Sequence, residues 1–266
     1  MFETLQATDL SNHLVTTNSD QRLTKLTRKP DIIFTMSGNN STCCVATQIG
    51  WKYGINSKNI KQACPTSEHR HNHEIVFIDN DYFKYNHAKH LEAVKKYKPR
   101  YCTVRDVMTR EQCDRDEIEY YSPKQILEWA EELLQYAQNV IIIPKDVSFL
   151  SFFDWNKYMI GVPVPSSHGA DVLDIQYYYR KKCHLLGGSW AKQLTYLYLL
   201  GDDCVSLDNN YINKIAKAGC FVDPAGEIRM LKDTLNFDNE GALYTCLSLS
   251  FGSITRAVDM LVTTQH

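Results

Sequence analysis

NVIIIPKD, residues 139–146, is the stretch on which the fold turns. Its apolar middle, Val140 to Ile143, is β-branched throughout and too short for a helix, so it reads as a strand. It does not alternate with polar residues, which means burial on both faces and hence a parallel sheet covered by helices. It ends abruptly in Pro144, Lys145 and Asp146. Immediately before it, SPKQILEWAEELLQYAQ (122–138) has Ser122 at a helix N-cap position and Pro123 at the first helical position. Its Ile126, Trp129 and Leu133 fall on one face.

The same pairing recurs along the chain. DIIFTMSG (31–38), EIVFIDND (74–81), RYCTVRDV (100–107), KYMIGVPVP (157–165), KCHLLGGS (182–189) and DCVSLDNN (203–210) are further apolar runs that end in polar or turn-forming residues. Helical patterns lie between several of them: 86–99, stopped by Pro99; 189–201, stopped by Gly201; and 211–219, stopped by Gly219. With 139–146 these make seven strands, and Gly219–Val222 is the candidate eighth. Strand–helix alternation implies right-handed βαβ units. No Gly-x-Gly-x-x-Gly turn follows the first strand, which favours a barrel over an open doubly wound sheet. The expected fold is therefore α/β, a single-domain (β/α)8 TIM-like barrel. Residues 1–30 are expected to be an N-terminal capping segment, and 31–266 the catalytic barrel with C-terminal helices. A length of 266 residues suits that fold.

Charge and cysteine content narrow the class. The net charge of −2 carries no overall basic footprint for nucleic acid, although a local basic face is compatible with it. Nine cysteines, an odd number without a Cys-x2-Cys pair, suggest reduced thiols rather than a disulfide framework or a structural zinc site. The polar start MFETLQATDLSNHL lacks the pattern of a signal peptide, and no apolar run is long enough to span a bilayer. A cytoplasmic location without membrane contact is expected.

In such barrels the reacting groups sit at the carboxyl ends of strands. Here those ends supply Asp79, Asn80 and Asp81; Arg105 and Asp106; Lys145 and Asp146; Gly187, Gly188 and Ser189; and Asp208, Asn209 and Asn210, with Asp203 near the start of the last run. Helix capping is the plainer explanation for any one of them. Several carboxylates delivered to one rim create repulsion that folding does not need and that acid–base or nucleophilic chemistry does. Gly187-Gly188 reads alone as a tight turn, and beside carboxylates as a floor that a flat ligand can approach. His69, His71 and His73 lack carboxylate or cysteine partners at ligand spacing, so no metal is expected. Cys43-Cys44 reads as packing against the first strand. Tyr177-Tyr178-Tyr179, followed by Arg180, Lys181 and Lys182, reads as a helix with a solvated basic end.

FIDNDYFKY (77–85), TVRDV (103–107), IIIPKD (141–146), GVPVPSSHG (161–169), HLLGGS (184–189) and DDCVSLDNN (202–210) together resemble the tRNA-guanine transglycosylase superfamily. The resemblance spans roughly 31–220 and is closest to a small phage-associated branch allied to the DNA 7-deazaguanine transglycosylases. It implies a barrel enzyme, a glycosyltransferase, that replaces guanine in nucleic acid with a 7-deazaguanine base. DNA is favoured over tRNA as the partner, and no cofactor is implied. Asp203 matches the aspartate nucleophile and Asp79 the aspartate that assists proton transfer. Asp106, Gly187 and Gly188 match groups that bind the base, with Asp208 and Asn209 beside them. Arg105 and Lys145 are candidates for phosphate. Asp208 stands at its strand's end, where Asp203 stands near its start, and is the alternative nucleophile. The family's zinc-binding Cys-x-Cys-x2-Cys stretch is absent. Its usual Asp-Ser-Gly-Gly is Asp79-Asn80-Asp81-Tyr82 here. Two other readings stand beside this one: a non-catalytic barrel that binds a base or nucleotide, and a barrel hydrolase or lyase acting on a small sugar or phosphorylated substrate.

Overall fold

The computed structural model describes residues 26–35, 40–62, 74–165, 172–231 and 239–263. Eight parallel strands close into a barrel in chain order, β1 (Asp31–Thr35), β2 (Lys52–Asn56), β3 (Ile75–Asp79), β4 (Tyr101–Thr103), β5 (Asn139–Ile142), β6 (Met159–Pro163), β7 (Cys183–Leu186) and β8 (Cys204–Asn209). The last strand closes on the first, with Ile33 opposite Asp208 and Phe34 opposite Asn209. The fold is the α/β TIM-like barrel that the strand rhythm implies.

The eighth strand is not where the sequence places it. Cys220–Val222 (β9) pairs antiparallel with Ile228–Met230 (β10) in a separate hairpin. The missing barrel strand is β2, between the first two apolar runs. Gly54 at its centre faces Ile33, Phe77 and Thr35, and a Cβ there would come within 2.9 Å of each. The barrel's filled interior thus demands the residue that strand propensity disfavours.

The helices α1 (Asn40–Gln48), α2 (His87–Tyr97), α3 (Arg110–Arg115), α4 (Pro123–Leu134), α5 (Trp190–Leu200), α6 (Tyr211–Lys217) and α7 (Asn239–Thr263) cover the barrel. Asn86, Ser122 and Ser189 cap α2, α4 and α5, each side-chain oxygen accepting from the backbone N–H three residues on. On α4 the buried face is Ile126, Ala130 and Leu133. The β5–β6 and β6–β7 connections carry only 3-10 turns among the described residues. One of them, Ile175–Tyr178, takes up part of the Tyr177–Tyr179 run in place of the expected helix. Cys43 is buried on α1 in a cluster with Tyr53 and Ile55 of β2, not with the first strand, and Cys44 is half-buried. His69, His71 and His73 lie outside the described residues.

The helix α7 packs on α1, α6 and β9. Its Phe251 ring contacts Phe34 at 5.2 Å and Trp51 at 4.6 Å between centroids, which joins the last helix to the first strands. Each such buried side chain is worth about 1.5–3 kcal/mol. Of the expected N-terminal capping segment, residues 1–25 lie outside the described residues. Leu26 is buried in the same cluster as Phe34 and Trp51. The backbone N–H of Thr27 donates to Asp202 Oδ1 at 2.7 Å, tying this segment to the amino end of β8.

Candidate active site

Alternate residues of a strand face the same side, so Phe77 and Asp79 on β3 share the barrel interior, as do Ser206 and Asp208 on β8. Asp79 therefore projects into the carboxyl mouth. Its Oδ1 accepts from the Asn80 backbone N–H at 2.9 Å and from the Thr103 hydroxyl at 3.0 Å. Its Oδ2 accepts from the Asn56 amide at 3.3 Å. Burial, then the negative charge of Asp208, outweigh the Thr103 hydrogen bond, and Asp106 adds to the push; together they raise the Asp79 carboxyl to about 7. A half-buried acid there can give or take a proton near neutrality.

Asp106 reaches the same mouth because the pairing of β4 with β5 continues past both strands. Val107 N–H donates to Ile143 O and Lys145 N–H to Val107 O, both at 2.9 Å. This sets Lys145 Nζ 3.2 Å from Asp106 Oδ2, an ion pair with both side chains largely buried. Asn80, also buried, clips the ends of β3 and β4 together by donating to Val104 O at 2.7 Å.

Asp208 comes from the far side of the barrel. Its Oδ1 lies 3.3 Å from His184 Nε2, and His184 Nδ1 lies 2.7 Å from Ser206 Oγ. Among the described residues three carboxylates thus converge on one mouth, with Lys145 as the lysine among them. Such an arrangement can hold and pass a proton and can face a positively charged group.

Not every residue proposed from sequence joins them. Asp203 sits in the turn before β8, at the barrel's amino end, where its Oδ2 accepts from the Arg180 backbone N–H at 2.7 Å. It is separated from Asp79 by the length of the barrel, so the expectation that these two act at one centre is corrected, and Asp208 is the strand's acid at the mouth. Arg105 is buried, donates to Tyr82 O and lies over the Tyr82 ring at 5.3 Å, so it is a prop for the β3–α2 loop and not a phosphate contact. Lys145 does face the mouth, with its charge already met by Asp106.

Gly187 and Gly188 are likewise engaged within the fold. Gly187 N–H donates to Asp208 O at 3.2 Å, and the two glycine carbonyls accept from Gln193 at 2.7 Å and Asn209 at 2.9 Å. Gly188 has φ +77°, and a Cβ there would lie 2.6 Å from Val164, so the pair is required by the turn. Asn209 spans that turn and accepts from Tyr211 N–H at 2.7 Å, which makes it a brace between two loops. The expected base floor is thus a scaffold whose hydrogen bonds are largely spent.

Asn56, Thr103, His184 and Ser206 escape the sequence reading as site residues. His184 and Thr103 lie in quoted strands, yet an uncharged strand residue reveals a polar role only once its cross-strand neighbour is known. Among the described residues no three acidic, histidine or cysteine side chains converge as a metal site. A cleft of about 240 Å³ runs between the first turn of α5 and the β9–β10 hairpin, lined by Trp190, Tyr211 and Ile228 and not by the three aspartates. Among the described residues no helix is long and apolar enough to cross a membrane.

Among solved structures the chain is similar to the YdjI aldolase from Escherichia coli K12, at 11% identity over 89% of this chain and 92% of that one, with a TM-score of 0.46. Nothing about chemistry follows at that distance. A search of curated proteins finds no match. Residues 46–258, a span that contains Asp79, Asp106, Lys145, His184 and Asp208, match a family described as of unknown function, and the chain belongs to that family, DUF6610.

Proposed function

We propose that the protein exchanges a base at the N-glycosidic bond of a nucleic acid, with Asp208 as nucleophile and Asp79 as the acid and base. The observation that carries this reading is the convergence of Asp79, Asp106 and Asp208 at one carboxyl mouth, with Asp79 raised to about 7 by burial and by Asp208. Two carboxyls in unequal environments suit glycosidic chemistry, and burial makes Asp79 the one able to hold a proton near neutrality. The Asp208 carboxylate attacks C1′, and the electrons of the C1′–N bond leave on the departing guanine. That base takes the proton of Asp79. The ionised Asp79 then removes the N–H proton of the incoming 7-deazaguanine. The freed nitrogen attacks C1′ and displaces Asp208. Asp106, paired with Lys145, accepts from the N–H edge of the base.

The substrate class comes from the sequence resemblance, which favours DNA; a target within a duplex has to flip out of the stack to reach the mouth. The test is exchange of labelled guanine into DNA and RNA by wild type, Asp208→Asn and Asp79→Asn. Exchange by wild type alone, with a covalent protein–nucleic acid species that Asp208→Asn lacks, supports the reading. Full exchange by Asp208→Asn overturns it. Guanine release without incorporation marks a hydrolase with the same two acids.

A further inference from the structure

His184 is fully buried inside the barrel, with its ring 4.9 Å from that of Phe77 and 6.4 Å from that of Tyr101. Sheet register sets it directly beside Ser206, two residues before Asp208 on the same face of β8. Both ring nitrogens are therefore committed, Nδ1 to Ser206 Oγ at 2.7 Å and Nε2 to Asp208 Oδ1 at 3.3 Å. An ionised carboxylate only accepts, so Nε2 carries the proton of that contact. The Ser206 hydroxyl either donates into Nδ1 or accepts from it, so the ring's bonds are complete in both protonation states and Nε2 donates in both. The His184 side chain is 0% exposed and that of Asp208 12% exposed, so the ring's own bonds are made inside the protein.

We propose that His184 is the positioning residue of the Asp208 carboxylate, with Ser206 locking its ring; this rests on the reading of Asp208 as nucleophile. Among the described residues, the charged groups placed with Asp208 at the mouth are Asp79 from β3 and the Asp106–Lys145 pair beyond β4 and β5. Asp79 and Asp106 thus face Asp208 without bonding to it in the described residues, and Asp106, joined by Asp79 once it has given up its proton, repels its charge. The His184 donor is the contact that opposes this. It holds the Asp208 carboxylate by one donated bond and fixes its plane toward the mouth. Ring orientation by a second hydrogen bond is the usual device for making a histidine act through one nitrogen.

Glutamine and asparagine separate this role from mere filling of space. The glutamine amide reaches the place of Nε2, and the asparagine amide only that of Nδ1. His184→Gln is expected to keep kcat for base exchange within about fivefold, while His184→Asn loses about 30-fold in kcat with KM nearly unchanged, the pattern of a lost transition-state contact. Equal losses in the two folded variants overturn the proposal. A second measurement needs no turnover. In the 15N spectrum of the wild-type histidine rings, His184 is expected to show a proton on Nε2 at neutral pH, with a resonance that moves in Asp208→Asn. A ring without a proton on Nε2, or one indifferent to Asp208→Asn, also overturns it. If wild type exchanges no base, the functional reading falls, and the spectrum still decides whether His184 holds Asp208.

Discussion

The two ends of the barrel both carry aspartates, and they treat them in opposite ways. At the amino end each is met by donors. Asp31 takes the Arg100 guanidinium at 2.7 Å and the Tyr101 hydroxyl at 2.9 Å, and Asp202 takes the Thr27 backbone N–H and hydroxyl and the Arg28 backbone N–H. Burial of Asp202 pushes its carboxyl upward, and the bonds from Thr27 and Arg28 outweigh this and hold it below the usual range. At the carboxyl end Asp79, Asp106 and Asp208 repel one another around one lysine, and Asp79 is forced up to about 7. Each has donors of its own, yet like charges packed this closely cost energy that folding does not need, and in this fold the carboxyl face is where sites are built, the amino face serving stability.

The sharpest way to break the comparison is activity. Asp208→Asn is expected to lower base exchange by at least about 10³-fold, the scale of a lost nucleophile or stabilising charge. Asp202→Asn and Asp203→Asn, on the amino side, should leave kcat within about twofold. Labelled-guanine incorporation by the three purified variants checks this, and a loss in Asp203→Asn equal to that in Asp208→Asn would dissolve the distinction between the ends.

How much of this could be read beforehand depended on which residues announce themselves. Runs such as Val140–Ile143 are legible because burial on both faces needs unbroken apolar sequence. β2 is not, since its register places Gly54 among Ile33, Phe77 and Thr35 where no side chain fits. Cys220–Val222 looks like a strand and is one, but antiparallel pairing with β10 cannot be seen in a single run. Asp79, Asp106 and Asp208 are visible as carboxylates at strand ends. Asp208 could be set at its strand's end from sequence, and what the structure adds is that Asp203 lies in the turn before β8, bound to the Arg180 N–H at the amino end. Asn56, Thr103 and His184 act through neighbours on adjacent strands, so their roles appear only with the register.

Stability against pH sharpens the comparison next. Asp79 has a folded value near 7, above its ordinary 3.8, so the folded state holds this proton more tightly than the unfolded chain. Its contribution therefore falls as pH rises from about 4 to about 7, and above that the full cost of the buried charge remains. Asp79→Asn removes a cost on the order of a few kcal/mol, so it should stabilise the protein at pH 8 and do little at pH 4. Asp202, held low, has the opposite sign: its contribution is present at neutral pH and is lost as pH falls through its folded value, below 3.8. Urea titrations of both variants at two pH values check this, and parallel pH profiles would show that the two ends are electrostatically alike.

Backbone at the mouth is the next largest effect. Gly188→Ala puts a Cβ 2.6 Å from Val164 at a φ of +77°, and should cost about 2–3 kcal/mol in urea denaturation. Gly187 also has positive φ, at +57°, but nothing lies within 4 Å of its Cβ position. Gly187→Ala should therefore cost only the left-handed backbone, about 1 kcal/mol. A reversed order would mean that the turn is held by something other than its packing on Val164.

The smallest effect belongs to the amino end. Arg100 and Asp31 are partly solvated, at 41% and 22% side-chain exposure, so water screens most of their attraction. Arg100→Gln should lower stability by less than about 1 kcal/mol, because an exposed ion pair is worth little and Tyr101 still donates to Asp31. Base exchange should be unchanged. That contrast is the useful one: breaking a formed ion pair at one end should cost almost nothing, whereas neutralising Asp79, which has neutral donors and no cation of its own, should stabilise the fold at pH 8. If thermal or urea unfolding showed Arg100→Gln to be as costly as Gly188→Ala, the amino end would be storing more electrostatic energy than its exposure permits, and the division between a solvated, satisfied end and a dry, strained one would have to be redrawn.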